Sequence, residues 1–194
     1  KILKGLPHIT ERSVPFNLEA DSLNASVLGE KAVPGTEEFD LFVKEVTREI
    51  TVKAGQKCTA VRRIIVPENL IEEVQDAIAK RLASTTIGDP SVEGVRMGSL
   101  ATQTQVDRVR ESVELLTKSQ DIVFGDLDKF EVIGADKNKG AFFSPILFRN
   151  NDPFNKVDVH SIEAFGPVST IMPYKNMEEA VELARMGKGS LVSS

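Results

Sequence analysis

The sequence predicts an α/β fold of three layers, with an open, largely parallel sheet that carries helices on both faces. Two observations support this fold class. Short segments rich in β-branched residues alternate along the chain with longer segments in which apolar residues recur every three or four positions. The predicted strands are also apolar over most of their length, as expected where both faces of a parallel sheet are covered.

The first predicted elements precede the only cysteine of the chain. Residues 13–28 have strand-like apolar spacing broken by a polar centre at Glu19, which predicts a strand, a polar turn and a second strand. Thr36 is the predicted N-cap of a helix whose apolar face extends to Ile50. This helix should bring the chain to Gly55.

The remaining elements are predicted from the same two periodicities. They are a buried strand over 61–66, a helix from 70 to about 84, a helix around 106–116, a short strand at 122–125, strands at 144–148 and 168–173, a helix around 177–186 and a terminal strand. Strands joined by helices of this length favour parallel pairing.

Composition limits the class of protein. With 194 residues, 41% of them hydrophobic, the chain can form one globular domain. Its net charge of −5 and interspersed Lys and Arg give no basic stripe for nucleic acid, and no apolar run reaches the roughly 20 residues of a membrane span. A single cysteine fits a reducing compartment, so we expect a cytoplasmic protein. Because it starts at Lys1 and stops within a strand-like pattern at Ser194, we expect a segment of a longer chain.

Cys58 is the first candidate for chemistry, in the segment Gly55-Gln56-Lys57-Cys58 between a predicted helix and a predicted strand. A thiolate at such a junction can attack a carbonyl carbon while backbone N–H groups stabilise the resulting oxyanion. An isolated cysteine is more often a buried structural residue, so the motif alone does not decide between the two roles.

Two further candidates are acidic. Glu19 lies between Leu18 and Ala20 and would be costly to bury unless it is hydrogen-bonded or functional, so it is either a general base or a solvated turn residue. Glu163 precedes Phe165 and a Gly-Pro turn; it could accept hydrogen bonds from ribose hydroxyls while the phenyl ring bounds a flat group. Taken by itself, the Phe-Gly-Pro segment is a common turn.

In this order, the three motifs resemble the aldehyde dehydrogenase superfamily, and the likeness covers nearly the whole chain. Residues 55–58 match the family's Gly-Gln-x-Cys segment, residues 163–168 match its Glu-x-Phe-Gly-Pro-Val segment, and residues 18–23 stand where the family has Leu-Glu-Leu-Gly-Gly-Lys. Residues 88–90 and 140–145 also resemble family segments. The variant string 17–24 is most similar to the dehydrogenase domain of bacterial phenylacetate-degradation ring-opening proteins.

The resemblance implies a mechanism and a cofactor. Cys58 would form a thiohemiacetal and then a thioester with an aldehyde, and Glu19 would activate the water that hydrolyses it. Glu163 and Phe165 would hold the nicotinamide riboside end of NAD or NADP. The resemblance further implies a CoA-linked semialdehyde substrate, a dinucleotide-binding domain upstream, a homo-oligomer at full length, no metal, and little activity of these residues alone.

Three alternatives remain open from the sequence. A CoA-acylating dehydrogenase would resolve the thioester with CoA, although retention of Glu19 favours hydrolysis. A thiol hydrolase would pair Cys58 with His8 or His160, and neither histidine lies in a recognisable pairing motif. In a non-catalytic interaction domain, Cys58 would be an ordinary thiol without a chemical role.

Overall fold

The computed structural model describes residues 2–17 and 20–194, and within them a five-stranded sheet has the order β1-β2-β5-β4-β3. The strands are β1 (Ala25–Val27), β2 (Arg63–Pro67), β3 (Asp121–Phe124), β4 (Ile146–Arg149) and β5 (Val168–Tyr174). Neighbouring strands are parallel except for β3, which pairs antiparallel with β4. The predicted fold class is confirmed.

Helices cover both faces of this sheet. They are α1 (Pro7–Glu11), α2 (Glu37–Thr51), α3 (Ile71–Ala83), α4 (Gln103–Leu116) and α5 (Met177–Arg185), with 3-10 helices at Leu3–Gly5, Val52–Gly55, Glu68–Leu70 and Val157–His160. α2 and α3 pack on one face, whereas α4 and α5 pack on the other. Within the described ranges, no helix is both long and apolar enough to cross a bilayer.

The alternation of side chains along β2 explains why this strand is buried throughout. Ile64 and Val66 belong to the core beneath α2 and α3, whereas Ile65 belongs to the core beneath α5. Successive side chains of a strand point to opposite faces, so a strand covered on both sides must be apolar at nearly every position.

The helix predicted after Thr36 is confirmed as α2. The Thr36 hydroxyl accepts a hydrogen bond from the Phe39 amide at 3.3 Å, and the first turn carries acidic residues that favour the positive end of the helix dipole. The buried stripe of the helix consists of Phe39, Val43, Val46 and Ile50.

One predicted strand is wrong, and another is shorter than predicted. Residues 14–17 form no strand, because Pro15 has no N–H for a ladder and Val14 is largely solvent-exposed, and α1 precedes them unpredicted. The second strand of this region forms as β1. The terminal strand is reduced to one bridge, in which Ser193 pairs with Ala25.

Candidate functional site

Three segments that carry candidate residues each precede one of three adjacent parallel strands. Residues 20–24 precede β1, residues 55–62 precede β2, and residues 163–167 precede β5. Because parallel neighbours begin at the same edge of a sheet, these segments meet at its amino edge. The structure therefore brings Cys58, Glu163 and Phe165 to one edge, whereas Glu19 lies outside the described residues.

The turn that carries Cys58 is held by Asn24. The Asn24 side chain is fully buried and its Nδ2 donates to the carbonyls of Cys58 at 2.8 Å and Ala60 at 2.9 Å. The thiol-bearing residue itself is exposed. Within residues 2–17 and 20–194, the Cys58 amide has no hydrogen-bond acceptor, which leaves this N–H free to bind an oxyanion.

Gly55 allows the Cys58 segment to approach the segment before β5. Its φ is 69°, in the left-handed region, and a Cβ at this position would overlap the carbonyl group of Gly166. Any other residue would meet both backbone strain and a steric clash. The backbones of the two segments are therefore in direct contact.

Glu163 is bound by the protein on both carboxylate oxygens. Its side chain is only 7% exposed; Oε1 lies 3.3 Å from Nε of Arg62, and Oε2 accepts from the Ser22 amide at 3.1 Å. This carboxylate connects the segments that precede all three strands. Sequence reasoning identified Glu163 and missed both of its partners.

The Arg62 side chain binds both the Cys58 segment and the segment before β5. Its guanidinium is 4% exposed and donates at 2.8 Å to the carbonyls of both Gly55 and Gly166. The guanidinium carbon also lies 5.4 Å from the centre of the Phe165 ring. Burial lowers the pKa of Arg62, and the Glu163 carboxylate opposes this change. The sequence signal was a pair of arginines within an otherwise apolar strand.

Phe165 is 37% exposed and borders a cavity of about 590 Å³ that Gln56 also lines. The Gln56 side chain spans two loops, since Nε2 donates to the Phe165 carbonyl at 3.2 Å and Oε1 accepts from the Ala101 amide at 2.8 Å. A partly open ring beside a cavity can contact a planar group. The ring thus has the exposure that the predicted role requires.

Lys57 and His160 have partners other than the sulfur of Cys58. The Lys57 ammonium binds Glu49 at 2.7 and 2.8 Å. His160 is buried; Nε2 lies 2.9 Å from the Pro153 carbonyl and Nδ1 lies 3.0 Å from Arg63. Both of its ring nitrogens therefore have partners other than Cys58. His8 is an exposed residue of α1, so nothing in these contacts supports a thiol hydrolase.

An apolar cavity of about 790 Å³ lies elsewhere, between β1 and α5. Its walls include Val27, Ala180 and Val181, and they include neither Cys58 nor the segment before β5. Within the described residues, no group of three or more His, Cys, Asp or Glu side chains could hold a metal ion.

The sequence profile of the aldehyde dehydrogenase family matches residues 8–194. The chain belongs to this family. The chain is 45% identical, over 188 residues, to the 3,4-dehydroadipyl-CoA semialdehyde dehydrogenase of Aromatoleum evansii. This match covers 97% of the chain and 36% of the relative.

Two further relatives have lower sequence identity to the chain. A 1-pyrroline-5-carboxylate dehydrogenase of Oceanobacillus iheyensis is 29% identical over 147 residues, which are 76% of the chain and 27% of that protein. The structure of betaine aldehyde dehydrogenase from Staphylococcus aureus in complex with NAD+ superposes with a TM-score of 0.74 at 22% identity, over 87% of the chain and 32% of that protein. The chain spans about a third of the length of these relatives.

Proposed function

We propose that this chain is the catalytic portion of an NAD(P)-dependent aldehyde dehydrogenase that oxidises an aldehyde to its acid through Cys58. One observation carries the proposal. The exposed Cys58 lies at the amino edge of the sheet, between the segment that follows Glu19 and the segment that carries Glu163 and Phe165. These are the elements from which the family resemblance assigns a nucleophile, a base and a cofactor contact.

The chemistry begins at the sulfur of Cys58. The thiolate forms a bond to the aldehyde carbon, and the carbonyl oxygen becomes an oxyanion that the free Cys58 amide can bind. When bound, NAD(P)+ accepts the hydride that leaves this carbon, so that a thioester remains on Cys58. Glu19 then removes a proton from water as the water adds to the thioester. The C–S bond breaks, which releases the acid and returns the thiolate.

The role of Glu19 is supported by its position in the sequence. Ser22, three residues later, donates its amide to Glu163, and Asn24 holds the Cys58 turn. The segment that follows Glu19 therefore contacts both the cofactor segment and the nucleophile segment.

Two described residues, Phe165 and Glu163, would hold the nicotinamide end of the cofactor. Phe165 presents a partly exposed ring beside a cavity, which suits a planar group. The Glu163 carboxylate is nearly buried, and one hydrogen bond occupies each of its oxygens. Each carboxylate oxygen can accept a second hydrogen bond, so Glu163 could accept one from a ribose hydroxyl and keep Arg62 and Ser22 as partners.

For the substrate, we propose a CoA-linked semialdehyde of aromatic degradation, such as occurs in phenylacetate breakdown. The support for a CoA-linked semialdehyde is the relative from Aromatoleum evansii, whose name specifies a CoA semialdehyde and whose likeness extends over 97% of the chain. We further propose that the chain works within a longer cytoplasmic protein that contains a dinucleotide-binding domain and forms a homo-oligomer. The relatives, about three times longer than the chain, support the additional domain.

The test uses that longer protein in three forms: wild type, Cys58→Ala and Glu19→Gln. We expect Cys58→Ala to abolish turnover. Glu19→Gln should retain a burst of about one NAD(P)H per site and then stop, because the thioester persists. His8→Ala serves as the control and should keep wild-type turnover. Turnover by Cys58→Ala would overturn the proposal, and acyl-CoA in place of the free acid would assign the CoA-acylating reaction.

A further inference from the structure

Arg62 has no part in the reaction proposed above, yet its guanidinium binds two loops of the site. They are the nucleophile loop, residues 55–58, and the cofactor loop, residues 163–166. Toward the nucleophile loop it donates to the Gly55 carbonyl at 2.8 Å and to the Lys57 carbonyl at 3.4 Å. Toward the cofactor loop it donates to the Gly166 carbonyl at 2.8 Å and to Glu163 at 3.3 Å. The Arg62 side chain thus joins the segments before β2 and β5 through four acceptors, and Gln56 adds one hydrogen bond to the Phe165 carbonyl.

We infer that Arg62 is a positioning residue that locks residues 163–166 against residues 55–57 and thereby sets where Glu163 and Phe165 meet the cofactor. This inference rests on the proposed function, because it assigns Arg62 a task toward the same cofactor contacts. Arg62 itself need not touch substrate or cofactor.

The energetics of burial explain why an arginine is required. A guanidinium that is 4% exposed is costly unless its donors are satisfied, and here a carboxylate and backbone carbonyls satisfy them. The planar fork of arginine reaches acceptors on both loops at once. A lysine at this position would keep the charge, but its single ammonium cannot span the same acceptors.

The Cys58 turn has a second and separate support. Asn24 donates to the carbonyls of Cys58 and Ala60, whereas the hydrogen bonds of the Glu163 carboxylate go to Arg62 and Ser22. Loss of the Arg62 fork should therefore displace the cofactor loop more than the sulfur. Arg62→Lys should therefore weaken nucleotide binding and leave the reactivity of the Cys58 thiol nearly unchanged.

The chain offers a matched control in Arg63, which is also a buried arginine. Its guanidinium donates to the carbonyls of Leu23, in the segment before β1, and Ala184, and it contacts His160. These partners lie outside residues 55–58 and 163–166, so Arg63→Lys should also lower stability but leave the contacts between those two segments in place.

The experiment measures NADP affinity by titration calorimetry and Cys58 alkylation by iodoacetamide in the longer protein. We expect Arg62→Lys to weaken NADP binding by roughly tenfold, as for coupled contacting residues, with the alkylation rate within about twofold of wild type. Arg63→Lys should leave NADP affinity within about twofold of wild type. Equal affinities for Arg62→Lys and wild type, or equal losses in both lysine variants, would overturn the positioning role.

A measurement on the wild type keeps the inference testable if Arg62→Lys does not fold. When NADP is added, hydrogen exchange should slow in residues 53–58 together with residues 163–166, because Arg62 makes most of the hydrogen bonds between them. Protection confined to residues 163–166 would show that the loops respond independently and would refute the inference. If the wild type neither binds NADP nor oxidises aldehydes, the proposed function fails instead.

Discussion

The buried contact between His160 and Arg63 predicts an acid-sensitive fold. The Pro153 carbonyl can only accept, so Nε2 of His160 carries the proton and Nδ1 accepts from Arg63. Protonation would place a second N–H against a guanidinium. Burial is the larger cause that lowers the pKa of His160 to about 4, from 6.5; the hydrogen bond to Pro153 opposes the change and the charge of Arg63 adds to it.

The sign follows from the comparison of folded and unfolded chains. Below pH 6.5 the unfolded chain binds a proton at His160, whereas the folded chain does not. The free energy of unfolding therefore decreases as the pH is lowered from 6.5 to the folded pKa of about 4. The loss is about 1.4 kcal/mol per pH unit across this interval and about 3 kcal/mol in total. Above pH 6.5 this residue makes no contribution to the pH dependence.

Urea denaturation at a series of pH values, followed by circular dichroism, tests this prediction against His160→Gln. The glutamine amide can still donate to the Pro153 carbonyl but does not titrate. Carboxylates contribute to both curves, so their difference isolates the histidine. We expect the wild type to lose about 3 kcal/mol more than the variant between pH 7 and pH 4. Parallel curves would refute the assignment of a neutral, buried His160.

Three further predictions follow from local geometry and from the proposed function. Gly55→Ala should destabilise the fold by about 2 kcal/mol or more, because Gly55 has a positive φ and a Cβ there would clash with Gly166. Gly29→Ala is the control and should change stability little, because a Cβ there meets open space. Thermal unfolding compares the two variants, and equal melting temperatures would contradict the clash. Thr36→Ala should cost about 1 kcal/mol in urea denaturation through loss of the α2 cap, and an unchanged midpoint would exclude a capping role. The 194 residues alone should bind NADP weakly or not at all, since most of the proposed nucleotide site belongs to another domain, and tight binding in a calorimetric titration would contradict this.

Elements with a local signal could be predicted from the sequence. The Thr36 cap and the apolar stripe of α2 lie within one helix, so spacing alone identified the element. The first of the two strands expected within residues 13–28 is absent from residues 14–17, because apolar spacing does not reveal whether a neighbouring strand is available for pairing. β1 is short but real, since β2 lies beside it.

The motifs of the candidate site could be found in the sequence, but the hydrogen bonds that connect them could not. Cys58, Glu163 and Phe165 were identified from short segments that precede strands. Asn24 and Arg62 were missed, because their partners lie far along the chain and side-chain donation to a distant backbone carbonyl leaves no periodic pattern. Charge offered the only signal: a buried arginine within an apolar strand needs acceptors somewhere.

Loop length explains why the candidate site lies at the amino edge of the sheet, although ligands of open α/β sheets usually bind at the carboxyl edge. β2 passes into α3 through the short 3-10 helix Glu68–Leu70, and β5 ends at Tyr174, close to the start of α5. These tight connections leave little chain for a site at the carboxyl ends of β2 and β5. By contrast, residues 52–62 and 150–167 lead into the same two strands as longer segments. The longer segments are free to carry an exposed thiol and an aromatic ring, and parallel pairing of β2 with β5 places them side by side.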